Sequence, residues 1–425
     1  MDTVLPRLKN SFCGKFRTLY QRPRLVALFL SVPMFLSLFF QSGGAKKEPL
    51  ISPMATTLKS NKEVFGFAPY WTLGKLDNVD FNTLTTLAYF GVSVEGNGDL
   101  NKYDPGYQAF QSREATNLFR KAHQHGTRVV LTLTQMNNMP ILDLMDNPAS
   151  QTNLISQAIS EVQGRGIDGI NVDFEYQGDP GQDYRDKFSE FVRQLTNQMH
   201  QANPNSKVTV SVYAASVKDP KIYDVGKLAK VSDGIFMMAY DFANAGADQA
   251  MPTDPLYGHK EGKYWYDISS AVEDFLAQMP ANKLILGLPW YGYNYPVYSP
   301  EVLAPTWYGQ STAQTYKAAI DNISSDQPGL ADYREGWDNL GQVGWKAYLP
   351  ESTGVWRMIF LEDPKSLGLK YDFAMSKNLA GIGIWALGFD EGRGELWHVL
   401  RDKFGIKLAD NSALVRTVLA KEEEY

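Results

Sequence analysis

One recurrence constrains this chain more than any other feature. Eight short, strand-like runs follow one another: EVFGFAPYW, LTTLAYFGVSV, TRVVLTLTQ, GIDGINVDFEY, KVTVSVYAAS, GIFMMAYDF, KLILGLPWYGY and GIGIWALGFD. Between several of them lie stretches with apolar residues at three- and four-residue spacing, the signature of amphipathic helices. NPASQTNLISQAISEVQGRG opens on Asn147-Pro148 and closes on glycine, a good start and a good stop. GQDYRDKFSEFVRQLTNQMHQANP places Phe188, Phe191, Val192 and Leu195 on one side. Strands alternating with helices in this number predict an α/β fold, a (β/α)8 TIM barrel. An open doubly wound sheet is the alternative, but no glycine-rich phosphate fingerprint follows the first strand.

Barrel-forming residues are expected over 63–403. The seventh and eighth strands are separated by far more than one helix. That interval, about Asn294 to Tyr371, is rich in Tyr, Trp and Gly and contains β-like pieces such as GVWRMIFLED, so it reads as a small inserted α+β subdomain. Residues 404–425 read as a polar tail, and no solenoid repeat is visible.

The N-terminus has its own character. A basic lead over residues 1–24 carries Arg7, Lys9, Lys15, Arg17, Arg22 and Arg24 against a single acid, Asp2. The uncharged run LVALFLSVPMFLSLFF, Leu25 to Phe40, follows and resembles a signal-anchor or a secretory signal, with the basic side kept in the cytoplasm. Gly43-Gly44-Ala45 offers small residues for cleavage, whereas the long lead favours a retained anchor. Residues 41–62 read as a polar linker. In either case the remainder is expected to be exported, touching a membrane only through this segment. The only cysteine, Cys13, lies in the lead, so the exported part has neither disulfides nor thiol catalysis.

The lead is net +5 while the whole chain is −6, which leaves −11 on residues 25–425. So acidic a body argues against nucleic acid as a partner and favours a neutral ligand. The 5 histidines show no metal-ligand spacing and no cofactor motif appears, so neither metal nor cofactor is expected. Aromatics grouped with Gly and Pro, as in FAPYW and GLPWYGYNYP, suit flat ligands such as sugar rings, with ordinary packing as the alternative.

The fourth run carries the chemistry. In RGIDGINVDFEYQGDP, Asn171, Asp173 and Glu175 recur at every second position, so a strand places them on one face and Ile170, Val172 and Phe174 on the other. Carboxylates along a core strand need a reason, because burying an unpartnered charge is costly. In a barrel these three climb the inner face, and Glu175 emerges at the C-terminal mouth where active sites lie. Asp168 is off-parity with them and is expected to brace the start of the strand.

These residues resemble a known pattern. DGINVDFE resembles the Asp-x-x-Asp-x-Asp-x-Glu signature of glycoside hydrolase family 18, the chitinase-like family, with Asp168, Asp173 and Glu175 at the first, third and last acidic positions. MMAYDF resembles the family's Met-x-Tyr-Asp motif on strand 6, giving Met238, Tyr240 and Asp241. GIGIWALGFD resembles the strand 8 segment that ends in a Trp beneath the substrate, giving Trp385. The resemblance spans about Phe65 to Lys403. Two departures stand out: Asn171 occupies the second acidic position, and TLTQMNN replaces the strand 3 Ser-x-Gly-Gly. Branches that trim bacterial cell-wall sugars resemble this chain in having Asn there.

The resemblance implies a retaining glycosidase that cleaves next to N-acetylglucosamine through the substrate's own acetamido group and an oxazolinium intermediate. It implies Glu175 as general acid and then base, Asp173 as the charge that orients the acetamido N–H, Tyr240 as hydrogen-bond donor to the acetamido oxygen, and Trp385 as the floor. Asn171 is expected to donate an amide hydrogen to Asp173 and keep it ionised. Asp241 is expected to bind a sugar hydroxyl or brace Tyr240, and Met238 to lie beside the site. Tyr70, Trp71, Tyr213 and Tyr291, near strand ends, are candidate sugar-subsite residues, with packing as the alternative. The partner is an N-acetylglucosamine-containing polysaccharide and the protein is expected to act as a monomer. A catalytically silent lectin on the same barrel is the competing reading; Glu175, which such relatives typically lose, argues for the enzyme.

Overall fold

The computed structural model describes residues 51–406 apart from Tyr308. The basic lead, the apolar run and most of the tail lie outside the described residues. Among the described residues no helix is long and apolar enough to cross a membrane.

Eight parallel strands close a barrel: β1 (Glu63–Pro69), β2 (Thr86–Ser93), β3 (Arg128–Gln135), β4 (Gly169–Phe174), β5 (Lys207–Tyr213), β6 (Gly234–Met238), β7 (Leu284–Pro289) and, after an insertion, β13 (Gly381–Trp385). Each corresponds to one of the runs read in the sequence. The helices are α1 (Pro105–Phe110), α2 (Arg113–Gln124), α3 (Asn138–Asp146), α4 (Pro148–Arg165), α5 (Gln182–Ala202), α6 (Val225–Val231), α7 (Ile268–Leu276), α8 (Tyr316–Asn322), α9 (Pro364–Ser376) and α10 (Glu395–Phe404). Only a 3-10 turn, Tyr70–Lys75, follows β1.

The helix signals act as their chemistry predicts. Asn147 caps α4 by accepting from the Ala149 and Ser150 amides, and Gly166 ends it at φ 73°, a left-handed turn that glycine adopts without strain. On α5, Phe188, Phe191, Val192 and Leu195 are all fully buried, each contributing roughly 1.5–3 kcal/mol of apolar burial.

The barrel interior is a separate apolar cluster built on Phe65, Phe67, Val130, Phe236, Met238 and Ile285. Phe236 fills the centre because two neighbours have no side chain. A Cβ at Gly287 or Gly383 would lie 2.3 or 2.0 Å from its ring. Bulky rings therefore close the middle of the barrel and separate a polar group at its base, with Glu63, Thr86 and Arg128, from the polar sector nearer its mouth.

Between β7 and β13 stands an antiparallel sheet of order β10-β11-β12-β8-β9, from β8 (Tyr291–Val297), β9 (Thr312–Thr315), β10 (Leu330–Asp338), β11 (Val343–Pro350) and β12 (Trp356–Leu361). It begins three residues before the expected Asn294. It ends before Tyr371, which lies in α9, the barrel helix that precedes β13.

The stretch 51–62 does not behave as a free linker. Ile51 is buried, and the Ala55 amide donates to the His123 carbonyl at 2.8 Å. Lys59 Nζ reaches the carbonyls of Phe81 and Leu84 and the Thr127 hydroxyl. Burial outweighs the nearby Asp80 and lowers its pKa to about 8. Lys62 Nζ donates to Asn378 Oδ1 at 2.8 Å and to the Leu379 carbonyl at 2.7 Å. Two lysines thus strap this polar segment to the barrel through carbonyls of the turns that precede β2 and β13.

Candidate active site

Register explains the placement of the polar residues. Paired residues on neighbouring parallel strands share a face. Thr132 of β3 pairs with Asn171, which pairs with Thr209 of β5, and Thr134 pairs with Asp173. The pairing persists beyond β4, where the Glu175 amide donates to the Gln135 carbonyl at 2.8 Å. Polar layers therefore stack upward through three adjacent strands, with Glu175 and Tyr213 at the top.

Asn171 is fully buried and satisfied sideways. Its Nδ2 donates to Ser211 Oγ at 3.0 Å, and its Oδ1 accepts from Thr209 Oγ1 at 2.8 Å and from Ser211 Oγ at 3.4 Å. The expected amide donation to Asp173 does not occur, because the β5 hydroxyls compete for both ends of the amide. Asp173 is 3% exposed, and its Oδ1 has no hydrogen-bond partner among the described residues. Burial, reinforced by the charge of Glu175, pushes the Asp173 carboxyl well above the usual carboxylate range. The expected ionised Asp173 therefore lacks the Asn171 hydrogen bond that was to support it.

Glu175 sits higher and is only partly covered. Burial raises its pKa and Asp241 adds to the rise, while the Tyr213 hydrogen bond and Lys221 pull it back. Tyr213 donates to Glu175 Oε2 at 2.7 Å. Asp173 and Glu175 titrate as a pair, since two neighbouring carboxylates resist double ionisation.

Tyr240 follows β6. Burial holds its phenol protonated, with Asp173, Glu175 and Asp241 all adding to the effect. Its ring lies near-parallel to Trp385, centroids 6.5 Å apart at 23°, and edge-on to Tyr291 at 6.2 Å. Trp385 rests edge-on against Phe90 at 4.7 Å and Phe67 at 5.4 Å. These contacts join Tyr291, Tyr240, Trp385, Phe90 and Phe67 into one aromatic group. Met238, the last residue of β6, is buried within the interior cluster.

Asp241 has φ 58°, a conformation disfavoured for a side chain with a Cβ, which turns its carboxyl towards the inserted sheet. There it accepts from the hydroxyl of Tyr291 and from that of Tyr293 at 3.0 Å. Desolvation raises its pKa and the two phenols oppose that rise. Asp241 is thus tied to the insertion and not to the Tyr240 hydroxyl.

Two residues singled out in the sequence lie apart from this group. Asp168 stands at the opposite end of β4, where its Oδ2 accepts from His123 Nε2 at 2.7 Å and from the Val129 amide at 2.8 Å. It braces the base of the barrel. Tyr70 packs back onto the helix-side core beside Gly106, near Asp104, and its neighbour Trp71, 51% exposed, stands edge-on to Phe90 instead. Sequence reasoning missed Thr209, Ser211, Gln177, Lys221 and Phe90. The first two were visible in KVTVSVY, where Thr209, Ser211 and Tyr213 alternate as the β4 residues do. Among the described residues no group of His, Cys, Asp and Glu could hold a metal ion.

Known proteins resemble this chain in sequence and fold. Residues 63–390 match the model of glycosyl hydrolases family 18. Human di-N-acetylchitobiase is 24% identical over 346 residues, covering 76% of this chain and 80% of that one. The cortical fragment-lytic enzyme of Bacillus subtilis (strain 168) is 22% identical over 333 residues, covering 76% and 68%. The fold is shared with a crystal structure of a Cycas revoluta family 18 chitinase mutant in complex with (GlcNAc)4, at TM-score 0.68 and 19% identity, covering 80% of this chain and 99% of that chain. With the family model matched across most of its length, the chain belongs to glycosyl hydrolase family 18.

Proposed function

We propose that this protein hydrolyses the β-1,4 bond beside N-acetylglucosamine in chitin- or peptidoglycan-type oligomers, with retention of configuration, the substrate's acetamido group acting as nucleophile. One observation carries the reading. Among the described residues, Asp173 offers a buried carboxylate oxygen without a partner, two residues before Glu175. An acetamido N–H of the substrate would complete that oxygen as its donor.

The steps follow from the groups present. Glu175, its pKa raised chiefly by burial, keeps its proton to higher pH than a free glutamate. It gives this proton to the glycosidic oxygen as the bond from that oxygen to the anomeric carbon breaks. The acetamido carbonyl oxygen bonds to the same carbon, forming a cationic oxazolinium that Asp173 stabilises through the N–H. Tyr240 donates its hydroxyl hydrogen to the acetamido oxygen and holds it beneath the carbon. A water then attacks that carbon, Glu175 takes its proton, and the acetamido group is restored. No second carboxylate has to reach the anomeric carbon, which suits the substrate-assisted exceptions to the two-carboxylate scheme. Trp385 stacks the distorted sugar.

Relatives named for di-N-acetylchitobiose and for cortical fragments, and a relative bound to (GlcNAc)4, support N-acetylglucosamine oligomers as the substrate class. Asn171 supports wall-derived polymers within that class. The basic lead and apolar run support export, with or without a retained anchor.

The purified protein, incubated with chitin oligomers, peptidoglycan fragments and N-glycans, is expected to release N-acetylglucosamine-ended products identifiable by mass. Glu175→Gln should lower turnover on the order of 10²–10⁴-fold while still binding ligand. Binding without cleavage by the unaltered protein would replace the enzyme with a lectin.

A further inference from the structure

The end of β5 carries a hydroxyl for which the mechanism above has no use. Tyr213 donates its phenol proton to Glu175 Oε2 at 2.7 Å, and its oxygen accepts from Gln177 Nε2 at 2.8 Å. Gln177 is itself clamped. Its main-chain N–H donates to Asn138 Oδ1 at 2.8 Å, and its main-chain carbonyl accepts from Asn138 Nδ2 at 2.7 Å. The Tyr213 ring is held as well, edge-on to Tyr223 at 5.9 Å, with the Lys221 ammonium 5.4 Å from its centroid. Tyr223 in turn donates to the Phe174 carbonyl at 2.7 Å, one residue before Glu175.

A phenol has one proton. With Gln177 on its oxygen, that proton is aimed at Glu175 Oε2. An oxygen that accepts a hydrogen bond along this line does not carry its own proton there, so the acid form of Glu175 is protonated on Oε1. Among the described residues nothing hydrogen-bonds to Oε1. We propose that Tyr213, aligned by Gln177, is a positioning residue that pins Glu175 Oε2 and reserves Oε1 for the proton given to the leaving group. This rests on Glu175 being the general acid.

The same contact acts during the reaction. As the proton leaves Oε1, negative charge spreads onto Oε2, and the phenol hydrogen bond strengthens because its acceptor becomes ionised. Tyr213 therefore favours the carboxylate. The charged groups facing Glu175 are Asp173 on its own strand, Asp241 after β6 and Lys221 after β5; the protonated phenol of Tyr240 also faces it. Asp241 opposes ionisation of Glu175 and Lys221 assists it, so the phenol offsets part of the cost of burial.

The test compares Tyr213→Phe and Gln177→Met with the unaltered protein on two substrates. One is a chito-oligosaccharide, whose sugar leaving group needs a proton; the other is a dinitrophenyl glycoside, whose leaving group needs almost none. Tyr213→Phe keeps the ring and its packing, and Gln177 is exposed, so both variants should fold. For Tyr213→Phe, kcat on the oligosaccharide should fall on the order of 10- to 100-fold with KM little changed. Turnover of the dinitrophenyl glycoside should change far less, and the alkaline limb of the pH–rate profile should move to higher pH. Gln177→Met should move the same quantities in the same direction by less. Equal loss on both substrates with a raised KM, or an unmoved alkaline limb, overturns the proposal and leaves Tyr213 a sugar contact or packing. Full oligosaccharide turnover by Glu175→Gln would instead overturn the acid assignment beneath it.

Discussion

Asn171 and Asp173 lie two residues apart on one face of β4, and the Asn171 amide is turned away from the Asp173 carboxyl. It donates across the strand to Ser211 Oγ at 3.0 Å and accepts from Thr209 Oγ1 at 2.8 Å. Asp173 is consequently buried with an oxygen that nothing among the described residues satisfies. The fold carries this cost at the position where the substrate's N–H would relieve it.

That cost has a sign. Burial raises the folded pKa of Asp173 above its unfolded value of about 3.9. Below that value both states are protonated and there is no penalty. As pH rises, the unfolded chain ionises while the folded one lags, so stability falls through this window. Asp173→Asn should therefore be more stable than the unaltered protein at pH 7, by about 1–3 kcal/mol, and equal to it near pH 3. Urea denaturation at both pH values measures the difference, and activity should be lost together with the gain in stability. An equal or lower stability at pH 7 would mean that the carboxyl is satisfied after all.

How far the sequence revealed this follows from which contacts cross strands. The eight barrel strands were legible because each is a short apolar run bounded by turn residues, and β4 kept a clean alternation through Asn171, Asp173 and Glu175. Strands β10 and β11 were not, since both are largely half-exposed and their apolar and polar residues do not separate by face. The direction of the Asn171 amide depends on the pairing of Asn171 with Thr209, a register between segments some forty residues apart that no local pattern encodes. The Tyr213–Glu175 contact hides for the same reason. Lys59 looked like linker polarity because its carbonyl partners, Phe81 and Leu84, lie in the turn before β2, more than twenty residues along the chain.

His123 offers a second pH-dependent measurement, far from the site. Its Nε2 meets Asp168 Oδ2 at 2.7 Å and its Nδ1 meets the Ser52 carbonyl at 2.8 Å, so acceptors face both ring nitrogens and favour the doubly protonated ring. Burial lowers its pKa, but the Asp168 hydrogen bond and charge, with the Ser52 carbonyl, outweigh burial and leave it raised. A raised histidine contributes fully below its unfolded pKa of about 6.5, and the contribution is lost as pH climbs through the folded value. His123→Asn should cost about 1.5–3 kcal/mol at pH 6 and less at pH 9, read by urea denaturation at both. Activity of the folded enzyme should keep its pH profile, because this cluster lies at the opposite end of β4 from Glu175. A stability loss independent of pH would show that the ring is neutral in the fold.

Lys370 fastens the inserted sheet to the barrel. It projects from α9 and meets Asp254, in the segment between β6 and α7, and Glu362, just after β12, each at 2.6 Å. All three side chains are buried. Burial alone would lower the lysine pKa, but the two carboxylates outweigh it and keep the ammonium charged. Two acids face one cation, and burial pushes both carboxyls upward against the pull of the ammonium. Lys370→Met removes the cation, keeps an unbranched stem and strands two buried carboxyls. Breaking a buried pair in this way costs about 3–5 kcal/mol. Because protonation would neutralise the stranded acids, the deficit should shrink as pH falls from 7 towards 5. Asp241 reaches Tyr291 and Tyr293 on β8 of the same sheet, so loosening the sheet should also reach the mouth of the barrel and raise KM more than it lowers kcat. Denaturation and steady-state kinetics on the same preparation check both parts. A variant as stable as the unaltered protein at pH 7 would show that the three groups are not the fastening.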